Sequence, residues 1–201
     1  RRIMAMLQTD RLIAQPRGSY EQAWGFFRTR SGVLRRDHVD LYIKSVYELA
    51  PQVGLDPSII VAQASHETGY FTSYWWNVRL NPAGIGITGD PAQNAASRWF
   101  MDGRAAARAH VAHVQLYATG NITAPLSTSD DPRYQAYRDA YGTRKVADTI
   151  NDFTNRWGID DNYAVGVVRH GNAIFPKLQA SSQTTAPKPP EQSKGPDIMV
   201  T

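Results

Sequence analysis

The stretch that decides the fold is Ile59–Tyr74, which reads IIVAQASHETGYFTSY. Its apolar residues follow a helical spacing, and Ile60, Ala64 and Glu67 fall at i, i+4 and i+7 on one face. A carboxylate on a core-facing stripe is costly unless it is paired or has a chemical task. Gly69 predicts the end of this helix. We therefore expect the rest of the chain to place a groove around Glu67.

A run of aromatic residues follows the acid. Tyr70, Phe71, Tyr74, Trp75 and Trp76 supply flat apolar faces of the kind on which a sugar ring can stack. We predict that Tyr70, Tyr74 and Trp75 line the groove. The alternative for Trp75 and Trp76 is a place in the core.

The composition indicates one ordinary domain with a tail. The chain has 201 residues, of which 42% are hydrophobic and 20% charged, so it can bury a core and is not disordered as a whole. Its net charge of +4 suits an anionic polymer such as a bacterial wall or a nucleic acid, but many proteins that bind neither carry a similar charge. The absence of cysteine excludes disulfides and thiolate chemistry. No apolar run reaches membrane-spanning length, so membrane insertion is not expected. The first residue is Arg rather than Met, so the sequence could be a fragment.

Three segments are predicted along the chain. Residues 1–36 form an arm in which arginines alternate with aromatic residues, and we expect the aromatics to pack on the domain rather than the arm to bind nucleic acid. Residues 37–178 form the catalytic domain. Residues 179–201 are rich in Pro, Ser and Thr and are expected to be a linker to a further module.

The fold class predicted for the domain is α+β and predominantly helical. A small Gly-rich β-hairpin region within residues 77–94, with Gly89 and Asp90 at its turn, would flank a cleft. Asp37, Asp56 and Asp102 are expected N-caps. Helices are predicted over residues 37–50, 57–68, 102–118, 133–140, 144–153 and 162–175.

Cleavage of a glycosidic bond needs a proton donor, and a glutamate near neutral pH serves only if its pKa is raised. Glu67 at the end of an apolar helix has that kind of setting, and a plain helix-end acid is the alternative. Asp90 could activate water from across the cleft, but a simple turn residue is the competing interpretation. Other acids that could act there are Asp102, Asp160 and Asp161, and attack by a 2-acetamido group would need no second acid.

Two other site types are disfavoured. The sequence HETGY has Tyr70 where a zinc protease motif needs its second histidine. His110 and His113 stand at i, i+3, a spacing compatible with a metal, but a third ligand is not evident, and hydrogen-bonded histidines are the simpler interpretation.

Two blocks carry a family resemblance. LDPSIIVAQASHETGYFTS at 55–73, followed by NPAGIGITGD at 81–90, resembles the glucosaminidase domain of bacterial and phage cell-wall hydrolases, glycoside hydrolase family 73. An alanine-rich helix and RWGIDDNYA at 156–164 follow in the family's order. Four departures stand out: His66 for Leu, Tyr70 for Trp, Ala83 where the family has an apolar–aromatic pair, and Trp157 for the Tyr of a GYATD-like block.

The resemblance implies a lysozyme-like fold and hydrolysis of the β-1,4 bond after N-acetylglucosamine in peptidoglycan. It makes Glu67 the catalytic acid, places Asn81, Trp157 and Tyr163 at the substrate, and implies neither metal nor cofactor. The expected partner is the glycan strand of peptidoglycan, bound by a domain that is expected to be monomeric and to belong to a longer, multidomain chain. The expected location is outside the cell, at the wall, or in a phage virion or lysin.

Three alternatives stay open. A muramidase or lytic transglycosylase would share the fold and the single glutamate. A non-catalytic wall-binding or virion structural module is suggested by the departures at 66, 70 and 157. A nucleic-acid binder rests on the N-terminal arginines alone.

Overall fold

A computed structural model describes residues 5–87 and 99–176 of the chain. Within these ranges the chain forms seven α-helices and two short 3₁₀ helices. In order they are α1 (Tyr20–Phe27), α2 (Arg36–Leu49), a 3₁₀ helix (Ala50–Val53), α3 (Pro57–Glu67), α4 (Tyr74–Arg79), α5 (Gly103–Thr119), α6 (Tyr134–Tyr141), a second 3₁₀ helix (Ile150–Phe153) and α7 (Tyr163–Ile174).

The central helix is α3, the stretch that was expected to organise the fold. Every residue from Pro57 to Ser65 is buried, so the helix is covered all round rather than along one stripe. It packs mainly against α7, while α5 packs along α2 and α1 covers another part of α2. Gly103 permits the close approach of α5 to α2, because a Cβ at this position would overlap the backbone of His38.

Helix boundaries follow local capping chemistry. The predicted caps Asp56 and Asp102 are confirmed, since their carboxylates accept from the backbone N–H groups of Ser58 at 2.9 Å and Ala105 at 2.8 Å. The predicted cap Asp37 is wrong, because α2 already begins at Arg36.

Two helices, α1 and α4, were not predicted. Ser19 opens α1 with a capping box and Ser73 caps α4.

The predicted helix over 144–153 is wrong except for its last turn. The Asp152 carboxylate accepts from the backbone N–H groups of Asp148 and Thr149, which offers this segment a local alternative to a helix. The backbone N–H groups of Val146 and Ala147 donate to the carbonyl of Tyr117 instead of to a helical turn. The segment therefore lies extended against the end of α5.

The β component of the predicted fold is not confirmed. Described residues make three isolated bridges, Arg11 with Thr149, Ile13 with Leu55 and Thr154 with Gly158, and form no sheet among themselves. Of the expected hairpin region over 77–94, residues 77–79 belong to α4, 82–83 form a bend and 85–86 a turn, while residues 88–94, including Asp90, lie outside the described residues. The predicted linker over 179–201 lies outside them too.

The N-terminal segment packs on the domain, as the favoured interpretation expects. Phe27 and Leu12 are buried in the same core as α2 and α3. The backbone of Leu12 bonds both to Asp148 and to Asp56, each at 2.9 Å. Residues 5–36 thus form part of the folded unit. No helix within the described ranges is both long and apolar enough to cross a membrane.

Candidate active site

Glu67 is the last residue of α3, and an abrupt turn follows it. Gly69, Tyr70 and Phe71 all have positive φ values, 55°, 63° and 61°. Thr68 stabilises this left-handed turn: its hydroxyl donates to the Ala64 carbonyl at 2.6 Å and accepts from the Phe71 N–H at 2.8 Å. The turn carries the chain away and leaves the Glu67 side chain at the rim of a cleft.

The cleft has a volume of about 300 Å³. Three parts of the chain meet there, namely the end of α3, the loop over 83–87 and the turn over 156–158, with α5 and the start of α6 completing the wall. The lining residues are Glu67, Ala83, Gly84, Ile85, Gly86, Ile87, His113, Tyr117, Arg133, Arg156, Trp157 and Gly158.

The two oxygens of the Glu67 carboxyl group differ. Oε1 accepts a hydrogen bond from the Tyr163 hydroxyl at 2.5 Å. Oε2 makes no hydrogen bond to a described residue and lies beside Gly84, where an added Cβ would be 3.7 Å away. Burial raises the pKa of Glu67, and the hydrogen bond from Tyr163 opposes that rise. The carboxyl group is thus suited to hold a proton on Oε2 and to donate it to a leaving group in the cleft.

A buried hydrogen-bond chain leads from the core to Glu67. Gln63 Nε2 donates to the Tyr163 hydroxyl at 3.0 Å, and Gln63 Oε1 pairs with His110 Nε2 at 3.1 Å. The Tyr42 hydroxyl pairs with His110 Nδ1 at 2.7 Å. Burial lowers the pKa of His110 to about 3, so its ring is neutral and carries one proton. With that proton on Nε2, every member from Tyr42 onward donates toward the carboxylate.

Asn81 supports the wall of the cleft from behind. Its side chain is fully buried, donates to the Ile85 carbonyl at 2.9 Å and accepts from the Ile85 N–H at 3.0 Å. The prediction that Asn81 contacts the substrate is therefore corrected. The side chain holds the loop over residues 83–87, called the Gly84 loop below, and does not face the cleft.

Trp157 faces the cleft, as expected. Its indole N–H donates to the Ala83 carbonyl at 3.1 Å and joins the 156–158 turn to the Gly84 loop. Tyr163, also expected here, acts on Glu67 directly through its hydroxyl and is itself buried. Both residues thus shape the site from the C-terminal part of the chain.

The aromatic run after Glu67 does not line this cleft. Tyr70 is sandwiched: its ring stacks on His170 at 4.2 Å, and the Arg30 guanidinium lies 3.9 Å from the ring centroid. Both of its faces are therefore covered, and the prediction of Tyr70 as a groove wall is wrong for this cleft. Tyr74 is 60% exposed and packs edge-on against Trp75, away from the cleft lining. Trp76 is fully buried, in line with the core alternative.

The sequence interpretation missed the polar side of the cleft. Arg133 and Arg156 line it, and His113 lines it with its Nδ1 bonded to Asp131 at 2.7 Å. The only feature of the sequence that indicated this side was the i, i+3 spacing of His110 and His113, and we considered these two residues as metal ligands. No group of three potential metal ligands occurs in the parts of the chain that the structure covers.

Comparisons with known proteins agree with this geometry. A family model described as glucosaminidase, mannosyl-glycoprotein endo-beta-N-acetylglucosaminidase, matches residues 43–174, which is well over half of the chain. The match includes α3 with Glu67, the Gly84 loop, α5 and the Trp157 turn. No curated protein and no solved structure gave a significant match. The chain belongs to the glucosaminidase family of glycoside hydrolases.

Proposed function

We propose that the protein is a peptidoglycan hydrolase that cleaves the β-1,4 bond after N-acetylglucosamine, with Glu67 as the general acid. The observation that carries the proposal is the asymmetric carboxyl group, with Oε1 held by Tyr163 and Oε2 open beside Gly84. Burial raises the pKa of Glu67, so this acid keeps its proton to higher pH than an ordinary glutamate and can give it to the leaving oxygen. Once the proton has left, the Tyr163 hydroxyl stabilises the resulting carboxylate.

The charge of the cleft supports an anionic glycan. Arg133 and Arg156 both line it, and neither lysine nor a second acidic side chain does so in the described ranges. Peptidoglycan presents the carboxylates of its stem peptides close to the glycan strand, or a free lactyl carboxylate where the peptide is absent, and arginine binds carboxylates well. A neutral mannosyl glycan offers no such groups. We infer that the protein acts at the bacterial wall, from outside the cell or as part of a phage particle or lysin.

The replacement Glu67→Gln tests the proposal. It keeps the shape of the side chain and an acceptor for Tyr163 but removes the proton donor, so we expect a loss of about 10³-fold or more in the release of reducing ends from purified peptidoglycan. Glu48→Gln is the matched control, because Glu48 pairs with Arg104 on the surface, and this variant should keep full activity.

The new ends identify the bond. Mass spectrometry of the wild-type digest should show reducing N-acetylglucosamine ends. Reducing or anhydro-muramic ends would instead assign a muramidase or a lytic transglycosylase, and binding without new ends would assign a non-catalytic wall-binding module. Lysis that survives Glu67→Gln would rule out the role given to this residue.

A further inference from the structure

His113 lies in the cleft wall and has no role in the proton transfer described for Glu67. It lies on α5, is only 7% exposed and contributes to the same wall as Glu67. Its Nδ1 lies 2.7 Å from Asp131 Oδ2, and Asp131 is itself 3% exposed. The second oxygen of Asp131 accepts from the backbone N–H of Arg133 at 2.8 Å. The carboxylate is thus held from two sides, and it fixes the tautomer of the ring with the proton on Nδ1.

The orientation of the ring is fixed as well. Trp157 meets it edge-on with centroids 4.8 Å apart, and Tyr117 packs at 5.0 Å. With Nδ1 bonded to Asp131, Nε2 carries the lone pair, and Nε2 makes no hydrogen bond to any residue in the described ranges. A buried, oriented imidazole with an unused acceptor is built to bind a proton or a donor in the cleft.

Few groups in this cleft can accept a proton. Burial raises the pKa of Tyr117 to about 12, and arginines stay protonated. Of the lining residues within the described ranges, only Glu67 and His113 remain. Glu67 is assigned to the leaving oxygen, so His113 is the group among these described residues that can activate water.

We propose that His113, positioned by Asp131, is the general base that activates the attacking water, an inference that rests on the proposed hydrolase function. The water oxygen forms a bond to C1 of N-acetylglucosamine while one water proton passes to His113 Nε2. The C1–O4 bond breaks with its electron pair on O4, which takes the proton of Glu67. His113 then returns its proton to solvent and Glu67 regains one, so the cycle closes without a cofactor.

Direct attack by water predicts inversion at C1. Proton NMR during the first minutes of wild-type cleavage of soluble glycan fragments should show the new reducing N-acetylglucosamine as the α-anomer. The β-anomer would overturn the proposal, because retention requires a covalent or acetamido-assisted intermediate. No cleavage at all would refute the hydrolase function itself, and the role of His113 with it.

The replacement His113→Ala gives the second test. We expect activity to fall about 10²–10⁴-fold, the usual contribution of a general base. Azide needs no base, so its addition should restore cleavage in proportion to its concentration and yield the α-glycosyl azide. Wild type and His38→Ala, which changes a histidine outside the cleft lining, should give no azide product. His113→Gln, which can still donate to Asp131, serves if the alanine variant does not fold. Full activity of either variant, or an inactive folded variant that azide does not rescue, would overturn the proposal.

Asp131→Asn tests the positioning role. Loss of the carboxylate removes the partner that orients the ring and compensates the charge formed when His113 takes a proton from water, so kcat should fall with little change in KM, and azide should restore cleavage as it does for His113→Ala. The other charged and titratable groups around His113 are His110 and Tyr117 on its own helix and Glu67, Arg133 and Arg156 at the cleft wall, and the variant leaves them unchanged. A lower kcat that azide does not restore would assign Asp131 a purely structural role.

Discussion

At Glu67, two opposing influences act on one carboxyl group. Burial at the end of α3 favours the protonated form, while the hydroxyl of Tyr163 favours the ionised one. A general acid needs both, because it must hold a proton before the reaction and be stable without it afterwards. The cost appears in the folded state: a half-buried carboxylate must be accommodated at neutral pH.

This cost predicts a pH-dependent gain in stability for Glu67→Gln. Because the pKa of Glu67 is raised in the folded state, its stability contribution is complete below the ordinary glutamate pKa and is lost as pH rises through the raised value. We expect the variant to melt about 2–4 °C above wild type at pH 7, the change that about 1 kcal/mol gives in a chain of this size.

At pH 3, well below the ordinary glutamate pKa, the two melting temperatures should converge, because Glu67 of the wild type is then protonated in the folded state and almost entirely so in the unfolded state. Differential scanning calorimetry at both pH values makes the comparison. The surface variant Glu48→Gln should show no such difference between the two pH values. A Gln variant that melts below wild type at pH 7 would show that the carboxylate is not strained by burial.

At the level of elements, the site depends on the contact between α3 and α7. Gln63 and Glu67 lie one turn apart on α3, and Tyr163 at the start of α7 bonds to both. Gly166 lets the helices approach, because a Cβ there would overlap the ring of His66. The hydrogen-bond chain thus joins the core to Glu67 through two packed helices.

The replacement Gln63→Leu should change the pKa of Glu67 as well as the stability of the fold. It leaves the Tyr163 oxygen and the His110 N–H without partners in the core, which costs about 1–3 kcal/mol in the free energy of unfolding. Tyr163 also becomes a weaker donor to Glu67, so the pKa of Glu67 rises and the basic limb of the pH–activity profile moves to higher pH.

Gln115→Leu is the matched control. Gln115 is a buried glutamine on α5 that bonds to Thr123 outside the chain to Glu67. It should lose similar stability in urea titrations and keep the wild-type pH profile. Equal pH profiles for both variants would show that the hydrogen-bond chain does not tune the acid.

Patterns among neighbouring residues predicted where helices begin better than they predicted contacts between residues far apart in the chain. Asp56 and Asp102 marked their helix starts correctly, because a cap is decided by three or four neighbouring residues. The predicted helix over 144–153 failed because its backbone groups bond to Tyr117 and Asp152 instead. The resemblance pointed to Glu67 and Tyr163, which the structure joins by a hydrogen bond, but the Gln63–Tyr163 bond spans 100 positions and no pattern in the sequence indicates it.

At the level of the whole molecule, the cleft exists because distant segments converge. Glu67 comes from α3, His113 from α5 and Trp157 from a turn near α7, and the Gly84 loop closes the wall through Asn81 and the Trp157 indole. The N-terminal segment secures the other end of α3. Its backbone bridges the turns before α3 and before the second 3₁₀ helix, so it stabilises the frame on which the cleft depends.

Arg17 anchors this segment to the start of α3. Its Nε donates at 2.9 Å to Asp56, which is fully buried and caps α3. Arg17→Met leaves that carboxylate with less compensation, so we expect a loss of about 2–4 kcal/mol in the free energy of unfolding measured in urea. Arg104→Met removes only the exposed pair with Glu48 and should cost about 0–1 kcal/mol. Equal losses in the two variants would contradict an anchoring role, because the N-terminal segment would then hold α3 no more firmly than a surface ion pair does.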